Sequence, residues 1–159
     1  MKKNRISKNW INKQRRDIYV RQSKIEGYRS RAVYKLKEIN DKFKILRNGQ
    51  SIVDLGGAPG SWSQYLSSTL KNTKLLAIDL LEIQEIKNVK LMKGDFTDDI
   101  YKQKIKSFFN TKIDLVISDM AVNTTGNKNL DAIVTGELAM ESIEFAKEML
   151  KTNGQFVTK

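Results

Sequence analysis

The chain has 159 residues, enough for one domain with a single hydrophobic core. It contains no cysteine and no histidine, which excludes disulfides, thiol nucleophiles, Ser-His-Asp triads and histidine-based metal sites. Its net charge is +11. No apolar run approaches the roughly 18 residues of a membrane helix, and no signal-peptide pattern follows the basic N-terminus, so we expect a cytoplasmic protein.

The positive charge is concentrated in the N-terminal part of the chain. Residues 1–50 hold 16 of the 29 Lys and Arg residues and four acidic residues, whereas residues 51–159 hold 13 lysines, 14 acidic residues and no arginine. Because arginine presents a planar fork of donors that suits phosphate, this segregation predicts a nucleic-acid-binding face. A basic tail that only improves solubility is the alternative. The interleaved aromatic residues are candidates for base stacking or for core packing: Trp10, Tyr19, Tyr28 and Tyr34.

Two helices are predicted in this basic segment, over residues 11–22 and 29–44. On a helical wheel, the second helix places five apolar residues on one face, which predicts that it packs on a core: Ala32, Val33, Leu36, Ile39 and Phe43. Arg31, Lys35 and Lys42 follow the edge of that face. Lys35 therefore lies at the boundary between core and solvent, where a lysine either points into a cleft or snorkels to the surface.

Residues 51–62, SIVDLGGAPGSW, are the most informative segment. An apolar run ends in the carboxylate of Asp54, a glycine turn runs from Gly56 to Gly60, and a helix-like stretch follows. This order predicts the first unit of a doubly wound α/β sheet with a ligand at the loop; an ordinary tight turn is the alternative. The loop departs from G-x-G-x-x-G at Ala58, and an acid at the strand end disfavours a pyrophosphate. A cationic ligand without phosphate, such as S-adenosylmethionine, fits better.

From residue 51 onward, the pattern predicts strands that alternate with helices. Apolar runs indicate four further strands, at residues 74–80, 89–95, 112–120 and 154–159, with helices between them. The clearest of these helices covers residues 130–150 and places four apolar residues on one side: Val134, Leu138, Phe145 and Met149. Residues 123–129, NTTGNKN, form a polar loop placed like an active-site lid.

Acidic residues end four of the predicted strands: Asp54, Asp79, Asp95 and Asp119. In an open α/β sheet the ligand lies outside the carboxyl ends of the strands, so these carboxylates are predicted to line one crevice. Asp79 follows the glycine loop by about twenty residues, which places it to accept the ribose hydroxyls of an adenosine ligand. Taken singly, each acid is also a candidate helix N-cap.

Five motifs occur in order: SRAVYKL from Ser30, VDLGGAPGSWSQYL from Val53, GDF from Gly94, SDMAVN from Ser118 and GQFVTK from Gly154. Together, from about Lys8 to the last residue, they resemble the FtsJ family of ribosomal RNA 2′-O-ribose methyltransferases. The resemblance implies a Rossmann-like α/β fold dependent on S-adenosylmethionine. It also implies a doubly wound, mostly parallel sheet that lacks the family's last two strands.

The resemblance also implies the catalytic residues. The family carries a Lys-Asp-Lys-Glu tetrad, whose first three members match Lys35, Asp119 and Lys159. In such a site, the amine of Lys159 takes the proton of the ribose 2′-hydroxyl, with the charge of Lys35 nearby and Asp119 orienting the amine. The tetrad glutamate belongs to the part of the family pattern that this sequence lacks.

The implied cofactor is S-adenosylmethionine. By the resemblance, Asp79 would hold the ribose, Asp95 the adenine edge and Asp119 the methionine end. The full set of expected cofactor contacts is Asp54, Gly56, Gly60, Trp62, Asp79, Asp95 and Asp119.

The expected RNA contacts are Arg29, Arg31, Lys35 and Lys42. Residues 1–50 would form a helical RNA-binding extension packed on a methyltransferase domain of residues 51–159. The implied substrate is a uridine of 23S-type large-subunit ribosomal RNA, within the ribosomal subunit. We expect a monomer, without a metal ion or a membrane partner.

Three features depart from the family pattern. Ser61 replaces a glycine, Val122 replaces a proline, and the sequence stops inside the family's fifth strand. The first alternative is therefore a catalytically impaired remnant that binds RNA and S-adenosylmethionine without turnover. The second is an NAD-dependent oxidoreductase, against which the broken G-x-G-x-x-G argues.

Overall fold

The structure, a computed structural model, describes residues 17–120 and 126–158. Within these ranges, two helices precede the first strand, and four further strands follow it. In chain order the elements are α1 (Ile18–Ile25), α2 (Val33–Phe43), β1 (Ser51–Leu55), α3 (Ser61–Thr69), β2 (Lys74–Asp79), β3 (Val89–Lys93), α4 (Asp99–Phe109), β4 (Ile113–Ser118), α5 (Lys128–Met149) and β5 (Leu150–Thr158).

The five strands form one parallel sheet in the order β3-β2-β1-β4-β5. At the end of β1, Leu55 pairs with Ile78 on one side and with Ser118 on the other. The carboxyl ends of β1, β2 and β4 therefore meet at one edge, where the strand order reverses and α/β sheets bind their ligands. The predicted Rossmann-like α/β class is confirmed.

Hydrophobic residues cover both faces of this sheet, as expected for parallel strands. On one face, α4 and α5 pack on Val53, Leu55 and Val116 through Ile105, Phe109, Phe145 and Met149. On the other face, α2 and α3 pack on Ile52, Leu115 and Ile117 through Leu36, Trp62 and Leu66. Helix α2, which belongs to the basic N-terminal segment, thus shares a core with the sheet.

The predicted core face of α2 is confirmed except at its last residue. Val33 and Leu36 are fully buried, but Phe43 is 62% exposed. The prediction for Phe43 is wrong because the helix ends there: Lys44 takes a left-handed conformation with φ of 51°. Ile45, beyond this turn, fills the core instead and is only 4% exposed.

The helix predicted over residues 130–150 is α5, and only its second half is packed on the core. Phe145 and Met149 are buried and Leu138 packs beside them, whereas Val134 is 38% exposed, which contradicts its predicted place on the core side. The helix begins at Lys128 with Asn127 as its N-cap, so the last residues of the predicted polar loop belong to it. No helix in the described ranges is both long and apolar enough to cross a membrane.

Three further differences from the prediction concern α1, β5 and the segment between β2 and β3. α1 ends at Ile25, and residues 11–16 of the predicted first helix lie outside the described residues. β5 starts at Leu150, directly after the last residue of α5, with no loop between them. Its pairing with β4 has a register irregularity before Gln155. Residues 80–88, the β2–β3 loop, form no helix, although the alternating pattern predicts one.

Candidate active site

The glycine loop after β1 lies against the neighbouring strand ends. The Gly56 amide donates to the carbonyl of Ile78 at 2.9 Å, and Gly56 has a φ of 67°. A Cβ atom there would lie 1.9 Å from Cγ of Met120, so the loop and the end of β4 pack too closely for a side chain. The Ala58–Pro59 peptide bond is cis. This packing places the loop directly over the sheet edge where the strand order reverses.

Asp54 is buried beneath this loop. The residue is 3% exposed, and its carboxylate accepts a hydrogen bond from Ser63 Oγ at 2.7 Å. Burial raises the pKa of Asp54 from 3.8 to about 7, the bonds from Ser63 oppose this rise, and the charges of Asp119 and Asp79 add to it. Asp119 and Asp79 therefore lie near enough to Asp54 for their charges to act on it, which favours a cation beside these carboxylates.

Asp79, at the end of β2, holds two loops. Its Oδ2 accepts from the Ala58 amide at 3.0 Å, and its Oδ1 accepts from the Leu81 amide at 2.8 Å. Since a carboxylate has about four acceptor positions, these bonds leave capacity for ribose hydroxyls. The structure thus places Asp79 at the glycine loop, as its predicted role requires.

Asp95 has a local role in the structure. Its Oδ1 accepts from the amide of Thr97 at 2.9 Å and from its hydroxyl at 2.7 Å. These bonds stabilise the turn that leads into α4. The N-cap of that helix is Asp98, so Asp95 is not its cap. The adenine contact of Asp95 stays a prediction.

Lys35 and Asp119 come together beside the glycine loop. The Lys35 ammonium lies 3.1 Å from Oδ1 and 3.2 Å from Oδ2 of Asp119. The side chain of Asp119 is 16% exposed and that of Lys35 is 46% exposed, so the cation is accessible from the outer side. Of the two possibilities for Lys35, the ion pair with Asp119 favours the cleft position.

Hydrogen bonds between α3 and the residues just before α2 fix where α2 begins. The indole N–H of Trp62 donates to the carbonyl of Ala32 at 2.7 Å, and the hydroxyls of Ser30 and Ser61 lie 2.7 Å apart. Trp62 itself is 4% exposed. These bonds place the first turn of α2, and therefore Lys35, relative to the glycine loop.

A small cavity lies between these elements. It is lined by Ser30, Ala32, Asp54, Gly56, Gly57, Ala58, Pro59, Ser61, Trp62 and Asp119. Its volume is only about 40 Å³, so a ligand of the size of S-adenosylmethionine would extend beyond it along the strand ends. Among the described residues, no cluster of acidic side chains is arranged to hold a metal ion.

The predicted RNA contacts differ in their surroundings. The guanidinium of Arg29 donates to the backbone carbonyls of Pro59, Gln84 and Glu85, and that of Arg31 pairs with Asp17, the N-cap of α1. Lys42 is exposed in the last turn of α2, 5.2 Å above the ring of Phe43.

The aromatic residues of the basic segment pack on one another. The rings of Tyr19 and Tyr28 lie 5.3 and 6.4 Å from that of Tyr34, which favours the packing interpretation for these residues. Trp10, Val122 and Lys159 lie outside the described residues. β5 leads toward Lys159, and its Thr158 pairs with Ser118, the residue before Asp119.

Sequence reasoning missed the polar residues that support the site. Ser63 holds Asp54, and the Ser30–Ser61 pair joins the N-terminal segment to α3. The one available signal was the density of serine around the glycine loop, in GSWSQ. Such a pattern does not state which partner each hydroxyl finds, because the partners are distant in sequence.

Comparisons with known proteins identify the family of this chain. Residues 28–159 match the FtsJ-like methyltransferase family. The chain is 63% identical to ribosomal RNA large subunit methyltransferase E of Pelagibacter ubique, over 100% of this chain and 78% of that protein. It is 45% identical to the protein of the same name from Rickettsia akari, over 96% of this chain and 70% of that protein.

A solved structure is also similar. The crystal structure of a ribosomal RNA methyltransferase from Plasmodium falciparum matches with a TM-score of 0.75 and 33% sequence identity, over 82% of this chain and 77% of that one. The resemblance seen in the sequence is therefore confirmed by the family match, by sequence identity over the whole of this chain and by the fold. This chain is a methyltransferase of the FtsJ family.

Proposed function

We propose that the chain transfers a methyl group from S-adenosylmethionine to the 2′-hydroxyl of a uridine in large-subunit ribosomal RNA, within the ribosomal subunit. The observation that carries this proposal is the Lys35–Asp119 ion pair beside the glycine-loop cavity. The names of the relatives, which are ribosomal RNA large subunit methyltransferases, support the choice of RNA.

The residues around the cavity suit S-adenosylmethionine. The negative charges of Asp79 and Asp119 act on Asp54, and a ligand that carries an ammonium and a sulfonium offsets this negative charge. The same carboxylates would repel a pyrophosphate. Asp79 has acceptor capacity for ribose hydroxyls. When bound, S-adenosylmethionine supplies an electrophilic methyl group on a sulfonium.

The catalytic residues act on the acceptor hydroxyl. The 2′-hydroxyl is weakly acidic, so the site must align it with the methyl group and help remove its proton. We assign proton removal to Lys159, as the family resemblance implies, and positioning to Asp119. The cation of Lys35, which Asp119 holds in place, favours the neutral amine of a second lysine and stabilises developing negative charge on the acceptor oxygen.

We further propose that residues 1–50 bind the RNA and that residues 51–159 form the methyltransferase domain. The support is the charge difference between the two segments. Arg31 and Lys42 are exposed on the segment that carries Lys35, so phosphates bound there would bring a ribose near the Lys35–Asp119 pair.

The test uses the chemistry of the product. The chain is incubated with large ribosomal subunits and tritiated S-adenosylmethionine, and the recovered RNA is hydrolysed in alkali. Because alkaline cleavage needs a free 2′-hydroxyl, label at that position stays in an uncleaved dinucleotide, and nucleoside mass spectrometry should identify 2′-O-methyluridine. Label in mononucleotides would show methylation of a base and contradict the proposal.

A further inference from the structure

We propose that Arg29 is a positioning residue of the cofactor site rather than a phosphate contact. Its guanidinium fastens the glycine loop to the β2–β3 loop, and so fixes the two walls between which the adenosine part of S-adenosylmethionine would lie. The inference rests on the proposed function for the identity of the ligand. The link between the two loops rests on the contacts of Arg29 alone.

The guanidinium bridges two segments that are distant in sequence. Its Nη1 donates to the carbonyl of Pro59 at 2.9 Å and to that of Gln84 at 2.9 Å, and its Nη2 donates to the carbonyl of Glu85 at 2.8 Å. The Arg29 backbone amide donates to Oε1 of Gln64 in α3 at 3.2 Å. Both the backbone and the side chain of Arg29 are therefore fixed against the domain.

Close packing at Gly60 shows how tightly the guanidinium fits. A Cβ atom on Gly60 would lie 2.7 Å from Arg29 Nη1 and 2.8 Å from Ile86 Cδ1. Gly60 also has a φ of 107°, which other residues rarely adopt. The glycine that ends the loop thus leaves the space through which Arg29 reaches both segments.

Asp79 ties the same two loops from the other side. Its carboxylate accepts from Ala58 in the glycine loop and from Leu81 in the β2–β3 loop, whereas Arg29 donates to carbonyls of both. Between them Ile83 and Ile86 are buried, with Ala58 packed against this cluster. The two loops therefore form one unit, held by an acceptor at the strand end and by a donor outside.

The contacts also explain why the β2–β3 loop is not a helix. The carbonyls of Gln84 and Glu85 bond to Arg29 rather than to amides one turn later along the chain. A lysine cannot replace this arrangement, because one ammonium lacks the planar fork that reaches three carbonyls in two segments. Arg31 is the matched comparison: it is two residues away, more exposed, and paired with Asp17.

The experiment compares Arg29→Lys and Arg29→Ala with Arg31→Lys and the parent chain. Calorimetry measures the affinity for S-adenosylmethionine, amide hydrogen exchange without ligand measures loop opening, and RNA binding is titrated against salt. We expect Arg29→Lys to weaken S-adenosylmethionine binding about 10-fold and to speed exchange in residues 80–88, with an unchanged salt slope. Arg31→Lys should leave the affinity for S-adenosylmethionine and the exchange rates as in the parent.

Two further readouts separate positioning from a general loss of structure. In methyl-transfer assays, Arg29→Lys should raise the KM for S-adenosylmethionine and not the KM for RNA. A low, non-denaturing concentration of ethylguanidinium should restore part of the cofactor affinity of Arg29→Ala, because it supplies the missing fork. Restored affinity would show that the variant is folded.

Either of two results would overturn the inference. One is unchanged cofactor affinity and loop exchange in Arg29→Lys together with a flatter salt slope, which would make Arg29 a phosphate contact. The other is an effect of Arg31→Lys on cofactor affinity as large as that of Arg29→Lys. If the parent chain binds no S-adenosylmethionine, the cofactor proposal fails, and the exchange rates alone decide whether Arg29 ties the loops.

Discussion

Lys35 and Asp119 are 84 residues apart in the chain, yet the ammonium of Lys35 lies 3.1 and 3.2 Å from the two carboxylate oxygens of Asp119. The pair joins a helix of the basic N-terminal segment to the end of β4. Because β4 lies beside β1, the pair also borders the glycine loop. The charge of the basic N-terminal segment is thereby placed at the proposed cofactor site.

Loss of either partner should slow methyl transfer strongly. The Lys35 variant should still bind the cofactor. We expect Lys35→Ala and Asp119→Asn to lower the rate by about 100-fold or more, the usual effect of removing a group that assists proton transfer. Tritiated-methyl incorporation into ribosomal subunits measures the rate. Lys90→Ala, an exposed lysine on β3, is the control and should be fully active. A Lys35→Ala variant with parental rates would remove Lys35 from the mechanism.

Asp79→Ala should weaken S-adenosylmethionine binding by about 1–3 kcal/mol, because it leaves ribose hydroxyls and two amides without a charged acceptor. The amides are those of Ala58 and Leu81. Calorimetry gives the affinity, and Asp114→Ala, at the other end of the sheet, is the matched acid. Equal affinities in the Asp79 variant and the parent would place the ligand elsewhere.

Asp54 should make the protein less stable as pH rises. Its folded-state pKa is about 7 against an ordinary value of 3.8, so the folded state holds a proton that the unfolded state has released between these values. Stability should therefore fall from pH 4 to pH 7 by roughly 4 kcal/mol relative to Asp54→Asn, which cannot titrate. Urea denaturation of both proteins across this range measures the difference. Parallel pH profiles would show that Asp54 ionises normally.

Removal of residues 1–16 should make RNA binding less sensitive to salt. This stretch carries seven Lys and Arg residues, and cations that bind phosphates release counterions. The cut is placed before Asp17 because Asp17 caps α1 and pairs with Arg31. The slope of log K against log salt should flatten, while the affinity for S-adenosylmethionine stays the same. An unchanged slope would favour the solubilising-tail alternative.

Trp62→Phe should slow methyl transfer through a shift of Lys35. The substitution keeps an aromatic ring but removes the N–H bond to Ala32, whose carbonyl fixes the start of α2. We expect a loss of about 1–2 kcal/mol in stability and a lower rate at saturating cofactor. Thermal unfolding and methyl-transfer assays measure these effects, with Trp62→Leu as the more severe variant. A stable variant with the parental rate would refute this role of the indole.

The sequence by itself determined the fold class, the order of the strands and the position of the glycine loop. These features depend on local patterns: apolar strands, the spacing of Gly56 and Gly60, and acids at strand ends. The core face of α2 followed from helical periodicity at Val33 and Leu36. The predicted core positions of Phe43 and Val134 were wrong. Phe43 is the last residue of α2, and Val134 lies in the half of α5 that is not packed on the core.

Only the tertiary structure decided which polar groups meet. Asp54 and Asp119 end different strands, and their interaction arises because β1 and β4 are neighbours in the sheet. The same holds for Arg29. The sequence predicts an RNA contact for this residue, but its guanidinium donates hydrogen bonds to carbonyls of two loops. Hydrogen-bond partners that are far apart in the chain are set by how the layers pack. The periodicity of a sequence does not indicate which of these groups meet.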